Sequence, residues 1–137
     1  ANPLSLARLL DAAAESAPNR PFVVVLGEMR ELGGVADREH ERLGRHLAQL
    51  RPVLVFWRGG HADAVRDGLE HGLYTGKFLP VDSGEAFVQA LREHLPADTG
   101  EQGGLMLFKG SRGNHLEELL EALEQSDWLP GSRTESL

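Results

Sequence analysis

Five residues, Phe22-Val23-Val24-Val25-Leu26, form an unbroken apolar run that stops at Gly27. A strand with one wet face would alternate apolar and polar side chains. A run without alternation suits a strand covered on both faces, the usual condition in a parallel sheet. Two further runs share the pattern: Val53 to Trp57, followed by Arg58-Gly59-Gly60, and Leu105 to Phe108, followed by Lys109-Gly110-Ser111-Arg112-Gly113. Residues 77–81 are shorter and mixed, which predicts a strand nearer an edge.

Helical periodicity fills the intervals. Leu6, Leu9, Leu10 and Ala13 fall at i, i+3, i+4 and i+7, and Ser5 is the predicted N-cap of a helix over residues 6–16. Residues 36–50 form a second amphipathic stretch ended by Pro52, and residues 61–70 a short one closed by His71-Gly72. Residues 84–95 place Phe87, Val88, Leu91 and Leu95 inward behind a cap at Asp82 or Ser83, and residues 114–124 form the last helix. Strands alternating with helices predict an α/β fold, a mainly parallel sheet with helices on both faces and right-handed crossovers. The length of 137 residues suits one such domain. Residues 1–125 read as that domain and residues 126–137, with Pro130, Gly131 and Ser132, as an extended or frayed tail. The chain opens on Ala1 without an initiator methionine, as a piece of a longer protein would.

In open parallel sheets ligands bind at the carboxyl ends of the strands, so the loops after the apolar runs are the places to look. Glu28, Arg30 and Glu31 follow the first run. On the residues alone they pair with one another, contact a substrate or keep the loop wet. Lys109, Ser111 and Arg112 lie where a strand hands over to a helix. Two cations, flanking glycines and a helix N-terminus favour an anion site, and a βα turn with solvent-facing charges is the other reading. The two loops should emerge on the same edge. No G-x-x-x-x-G-K-[ST] is present, so this stretch should not cleave a nucleotide by itself.

Several classes are disfavoured. A net charge of −7 argues against nucleic-acid binding through a broad basic surface. The absence of cysteine removes disulfides and thiolate metal sites and fits a cytosolic protein. No apolar run approaches a membrane span, and no signal-peptide pattern opens the chain. His40 and His46 are six apart, on different faces of a helix, and Gly44 stands where H-E-x-x-H needs its second histidine, so no metal site is expected. His61, His71, His94 and His115 read as surface or helix-end residues, and Trp57 and Trp128 as packing.

Four stretches in order carry a resemblance: Asn2-Pro3-x-Ser5; Leu26-Gly27-Glu28-Met29-Arg30-Glu31-Leu32-Gly33; His40 with Gly44; and Lys109-Gly110-Ser111-Arg112 with Leu116-Glu117. From about Asn2 to Leu123 the chain resembles the C-terminal domain of the Mur ligases, most closely the branch that joins D-alanyl-D-alanine to UDP-N-acetylmuramoyl-tripeptide. Glu28 stands where that branch usually has Asp, and Leu6 and Leu116 where Met is common. The resemblance implies a Rossmann-like fold and a cytoplasmic, ATP- and Mg²⁺-dependent, ADP-forming ligase of peptidoglycan synthesis. In it this domain closes over a central ATPase domain. It implies that Asn2 faces the nucleotide and that Glu28, Arg30, Glu31, Lys109, Ser111 and Arg112 line the substrate cleft. No catalytic residue and no metal ligand are expected here. The implied partners are the N-terminal and central domains, UDP-N-acetylmuramoyl-tripeptide and D-Ala-D-Ala, with neither nucleic acid nor membrane. Two alternatives stand beside it: a Mur-type ligase for another amino acid, and a free-standing α/β binding module. A P-loop upstream of Ala1 would separate the ligase from the module.

Overall fold

The computed structural model of the chain describes residues 2–16, 21–95, 105–110, 112–126 and 133–136. Five strands, β1 (Phe22–Gly27), β2 (Leu54–Arg58), β3 (Lys77–Pro80), β4 (Leu105–Lys109) and β5 (Arg133–Ser136), form one sheet in the order β3-β2-β1-β4-β5. Every neighbouring pair is parallel. The helices are α1 (Pro3–Ser16), α2 (Ala36–Leu50), α3 (Ala62–His71), α4 (Gly84–His94) and α5 (Leu116–Gln125).

The apolar runs are covered on both faces for the expected reason. Side chains alternate across the sheet, so Phe22, Val24, Leu26, Val55, Trp57 and Leu107 pack with residues of α1, α2 and α3. Val23, Val25, Leu54, Phe56, Met106 and Phe108 pack with residues of α4 and α5. Each of these buried side chains contributes about 1.5–3 kcal/mol of transfer free energy. Strand β3 is at the edge, with Lys77 and Pro80 exposed. The tail is extended over Arg133–Ser136, where it pairs with β4 as the other edge strand. Four polar residues carry no apolar signal for joining a sheet, so the pairing is not visible in the sequence.

Some boundaries differ from the sequence reading. Helix α1 starts at Pro3, where a missing N–H is harmless, and Asn2 is its cap: its Oδ1 accepts the Ser5 N–H at 2.8 Å. Ser5 itself sits in the first turn. Ser83 caps α4, its Oγ accepting from the Ala86 N–H at 3.1 Å. The stretch read as one helix from residue 114 divides into a short 3-10 turn (Arg112–Asn114) and α5, joined by His115 at φ 52°. Residues 17–20 and 96–104, and Trp128, lie outside the described residues.

Helices α2 and α3 cross in backbone contact. A Cβ at Gly44 would strike the Val65 carbonyl, and one at Gly68 the Glu41 carbonyl. This close approach, which only glycine permits, brings His61 at the start of α3 over His40 of α2: the rings stack with centroids 4.5 Å apart.

Candidate functional site

Because all strands are parallel, the loops after β1, β2 and β4 leave from one edge, as expected for two of them. The register pairs Gly27 with Arg58 and Leu26 with Lys109, so the three turns stand side by side. They meet on Asn114, which is buried at 4 % exposure. A Cβ at Gly27 would collide with its side chain; one at Gly110 would lie 2.9 Å from Asn114 Oδ1, and one at Gly59 3.1 Å from Nδ2. Gly59 also has φ +115°, which L side chains rarely adopt. Trp57 helps fix this turn, its Nε1–H donating to the Gly60 carbonyl at 2.9 Å. Sequence reasoning missed Asn114. The available signal was the glycine that closes each apolar run: three glycines at three strand ends mark a close approach by some shared group.

The loop after β1 sorts its charges. The Glu28 N–H donates to the Arg58 carbonyl at 3.3 Å. Its carboxylate lies over the turn before α3, with Oε1 3.0 Å from a Cβ placed at Gly59 and Oε2 3.0 Å from one at Gly60. Negative charge is favoured near that helix N-terminus. Arg30 reaches Glu28 Oε1 at 3.5 Å, a loose and half-exposed pair worth little by itself. Its guanidinium lies against Gly113, 2.5 Å from where a Cβ would stand. The loops after β1 and β4 therefore touch, and Arg30 is the point of contact. Met29 is buried in the core, whereas Glu31 is exposed at φ 64°.

His40 holds this loop from below. It is fully buried, and both ring nitrogens are used: Nδ1–H donates to the Ala36 carbonyl at 2.7 Å, and Nε2 accepts the Met29 N–H at 2.9 Å. The second bond requires a bare Nε2, hence the neutral ring with its proton on Nδ1. Burial, the largest cause, pushes the His40 pKa below the usual imidazole value, and His61 pushes the same way. The bond to Ala36 and the carboxylates of Glu28 and Asp37 push back. The ring also meets Trp57 in a T-shaped contact, 5.6 Å between centroids. His61 is more than a helix-end residue: it stacks on His40 and its Nδ1–H donates to Asp37 Oδ1 at 2.8 Å. His46 instead ties α2 to α1 through Asp11, at 2.8 Å. Among the described residues no three His, Asp or Glu side chains converge as a metal site would require.

Lys109 ends β4 half-buried, and among the described residues it makes no ion pair. Gly110 behind it packs on Leu116. Ser111 and the side chain of Arg112 lie outside the described residues. Asn2 is elsewhere: with Met29, Leu32 and Val35 it lines a groove of about 690 Å³ between α1 and α2, which neither Arg30 nor Lys109 lines. The structure thus brings Glu28, Arg30 and Lys109 to one edge beside Gly113, turns Glu31 outward, and leaves Asn2 on a separate surface.

No helix among the described residues is long and apolar enough to cross a membrane. Against known proteins, the chain is 28 % identical over 104 residues to the UDP-N-acetylmuramoyl-tripeptide--D-alanyl-D-alanine ligase of Bacillus subtilis (strain 168), a match covering 76 % of this chain and 22 % of that protein. Two crystal structures of MurF from Acinetobacter baumannii superpose with TM-scores of 0.67 and 0.64, at 32 % and 30 % identity. Each match covers 92 % of this chain and 26 % of MurF, so the chain spans about a quarter of the length of these relatives. Residues 1–112 match the family described as Mur ligase, glutamate ligase domain, and the chain belongs to that family.

Proposed function

We propose that the chain is the C-terminal domain of a cytoplasmic, ATP-dependent, ADP-forming ligase that joins D-alanyl-D-alanine to UDP-N-acetylmuramoyl-tripeptide in peptidoglycan synthesis. The observation that carries the reading is the contact of Arg30 with Gly113 beside Lys109, in a chain similar to MurF over nearly its whole length. These two loops carry two of the four stretches on which the family resemblance rests. Their meeting brings two cations from distant parts of the chain, Arg30 and Lys109, to one rim.

The dipeptide substrate offers an amine and a carboxylate. Lys109 and Arg112 are the groups we assign to its carboxylate, Arg112 by paired hydrogen bonds and Lys109 as a point charge. We assign Arg30 and Glu28 to the opposite wall, with the exposed Glu31 at its outer margin. When bound, ATP and Mg²⁺ supply the activation of the tripeptide carboxylate. The residues described in this chain do not fit a Mg²⁺ site, since no three ligating side chains converge. We assign the metal and the phosphates to the remainder of the protein. Asn2 keeps its amide nitrogen for a nucleotide, its oxygen being engaged as a helix cap. Closure of this edge over the rest of the enzyme excludes water from the activated carboxylate.

The test is steady-state ligation by the full-length protein. Lys109→Ala and Arg112→Ala should each raise KM for the dipeptide, lower kcat, or both, with the unfolding midpoint close to the parent's. Unchanged kinetics in both variants would overturn the reading. The 137-residue chain alone should neither hydrolyse ATP nor form the amide bond, and turnover above a no-protein control would equally overturn it. The family description names glutamate ligation, so D-glutamate belongs in the assay as a competing amine. Preference for it would move the chain to another branch.

A further inference from the structure

Arg58 ends β2 on the face of the sheet covered by α4 and α5, the side that also holds Phe56. Its side chain is only 17 % exposed. Nη1 donates to the His115 carbonyl at 3.0 Å; Nη2 donates to the Asp82 carbonyl at 3.1 Å and to Glu118 Oε2 at 3.2 Å. One guanidinium thus joins the end of β2, the residue before the cap of α4, and the first turn of α5.

The place is an odd one for a cation. The N-terminal ends of α4 and α5 both carry positive dipole character, which disfavours it. The convergence of two carbonyls and a carboxylate offsets this, and the planar fork of arginine fits three fixed acceptors as a lysine cannot. His115 is the informative partner. It is not glycine, yet it sits at φ 52°, and such residues persist where the surroundings over-determine them. Its neighbour Asn114 is the amide on which Gly27, Gly59 and Gly110 pack. Holding the His115 carbonyl therefore sets the path of the turn that leads back to Lys109.

We propose that Arg58 is a positioning residue for the turn of residues 112–115 that follows Lys109 and Gly110, acting through the His115 carbonyl without touching substrate. This rests on the reading that the loop binds the dipeptide carboxylate, and the experiment separates the two. In the full-length ligase, Arg58→Ala should raise KM for D-Ala-D-Ala roughly ten- to hundredfold, the effect of a small misplacement of binding groups. KM for ATP should stay unchanged and the unfolding midpoint within a few degrees of the parent's. Arg58→Lys should fall between. Arg58→Ala added to the pair Lys109→Ala and Arg112→Ala should be no worse than that pair alone, since the first change acts through those two side chains. Amide hydrogen exchange over residues 110–115 should quicken in Arg58→Ala and not in Lys109→Ala. If exchange there is unchanged, or if both KM values rise together with a large fall in the midpoint, Arg58 does not position the loop. If exchange quickens but Lys109→Ala ligates normally, Arg58 still holds the loop and the dipeptide assignment fails instead.

Discussion

The loop after β1 and the loop after β4 leave neighbouring strands on one edge of the sheet, and a single basic side chain anchors each from an opposite face. His40 anchors the first from the α2 side: fully buried, neutral, bonded through both nitrogens to backbone. Arg58 anchors the second from the α4 and α5 side: a cation at 17 % exposure, bonded to two carbonyls and a carboxylate. The buried anchor gets its strength from the exclusion of water, so its loss orphans the buried Met29 N–H. The cationic anchor sits nearer solvent, and water can replace part of what it gives. Stability should therefore rest more on His40, and the geometry of the loop after β4 more on Arg58.

The largest expected effect follows from that contrast. His40→Ala leaves the buried Met29 N–H without its partner, removes the side-chain bond to the Ala36 carbonyl and opens a cavity beside Trp57, together about 3 kcal/mol. Arg58→Ala should cost about 1 kcal/mol, because water reaches the released carbonyls. Urea unfolding of both variants measures the difference. Equal losses would erase the distinction between the two anchors.

Next comes the group that belongs to both regions. Gly27→Ala drives a Cβ into the Asn114 side chain, an overpacking of about 2 kcal/mol. Asn114→Ala should relieve most of it, so the double variant should be more stable than the sum of the two single losses predicts. Additive losses, measured by the same unfolding curves, would show that the turns after β1 and β4 are not coupled through this amide.

Much of the fold was legible because it depends on local pattern. The unbroken runs at Phe22, Val53 and Leu105 announced doubly covered strands, although Val53 itself is exposed just before β2, and a parallel sheet then required their loops to share an edge. The anchors were not legible in the same way. Arg58 finds Glu118 60 positions away, and Met29 finds His40 11 positions away, so no local spacing points to either. For His40 a signal existed: with Leu43 and Leu47 it falls at i, i+3 and i+7, on the buried stripe of α2. A histidine on an apolar stripe, with no second metal ligand, is a buried hydrogen-bonding residue. Asn2 and Ser5 show the limit at helix ends, where either residue can cap and proline at the first position decides in favour of Asn2.

The pH dependence separates the anchors by sign. His40 has a lowered pKa in the folded chain, so the unfolded chain binds the extra proton first as pH falls below its ordinary value of 6.5. Its contribution is complete above 6.5 and is lost as pH falls through the lower folded value. Protonation also removes the acceptor for the Met29 N–H. His61, Glu28 and Asp37 face the same ring, so the clean measurement is a difference. Between about pH 7 and pH 5, the parent should lose more stability than His40→Asn, while Arg58→Ala should track the parent. Identical slopes for the parent and His40→Asn would mean the ring is not held neutral.

The smallest effect tests what Arg58 holds. Glu118 is 52 % exposed in its pair with Arg58, and an ion pair so open to solvent is screened and worth well under 1 kcal/mol. Glu118→Gln keeps an acceptor in place and removes only the charge. If the carbonyls of His115 and Asp82 are the main partners, stability should change by no more than about 0.5 kcal/mol, and hydrogen exchange over residues 110–115 should stay as in the parent. Raising salt should then leave the difference between parent and variant nearly unchanged, since little Coulomb energy is present to screen. A loss as large as that of Arg58→Ala, shrinking with salt, would make the carboxylate the true partner. The turn would then be held by a solvent-screened charge pair, and Arg58 and His40 would differ in the kind of group they grip as well as in exposure.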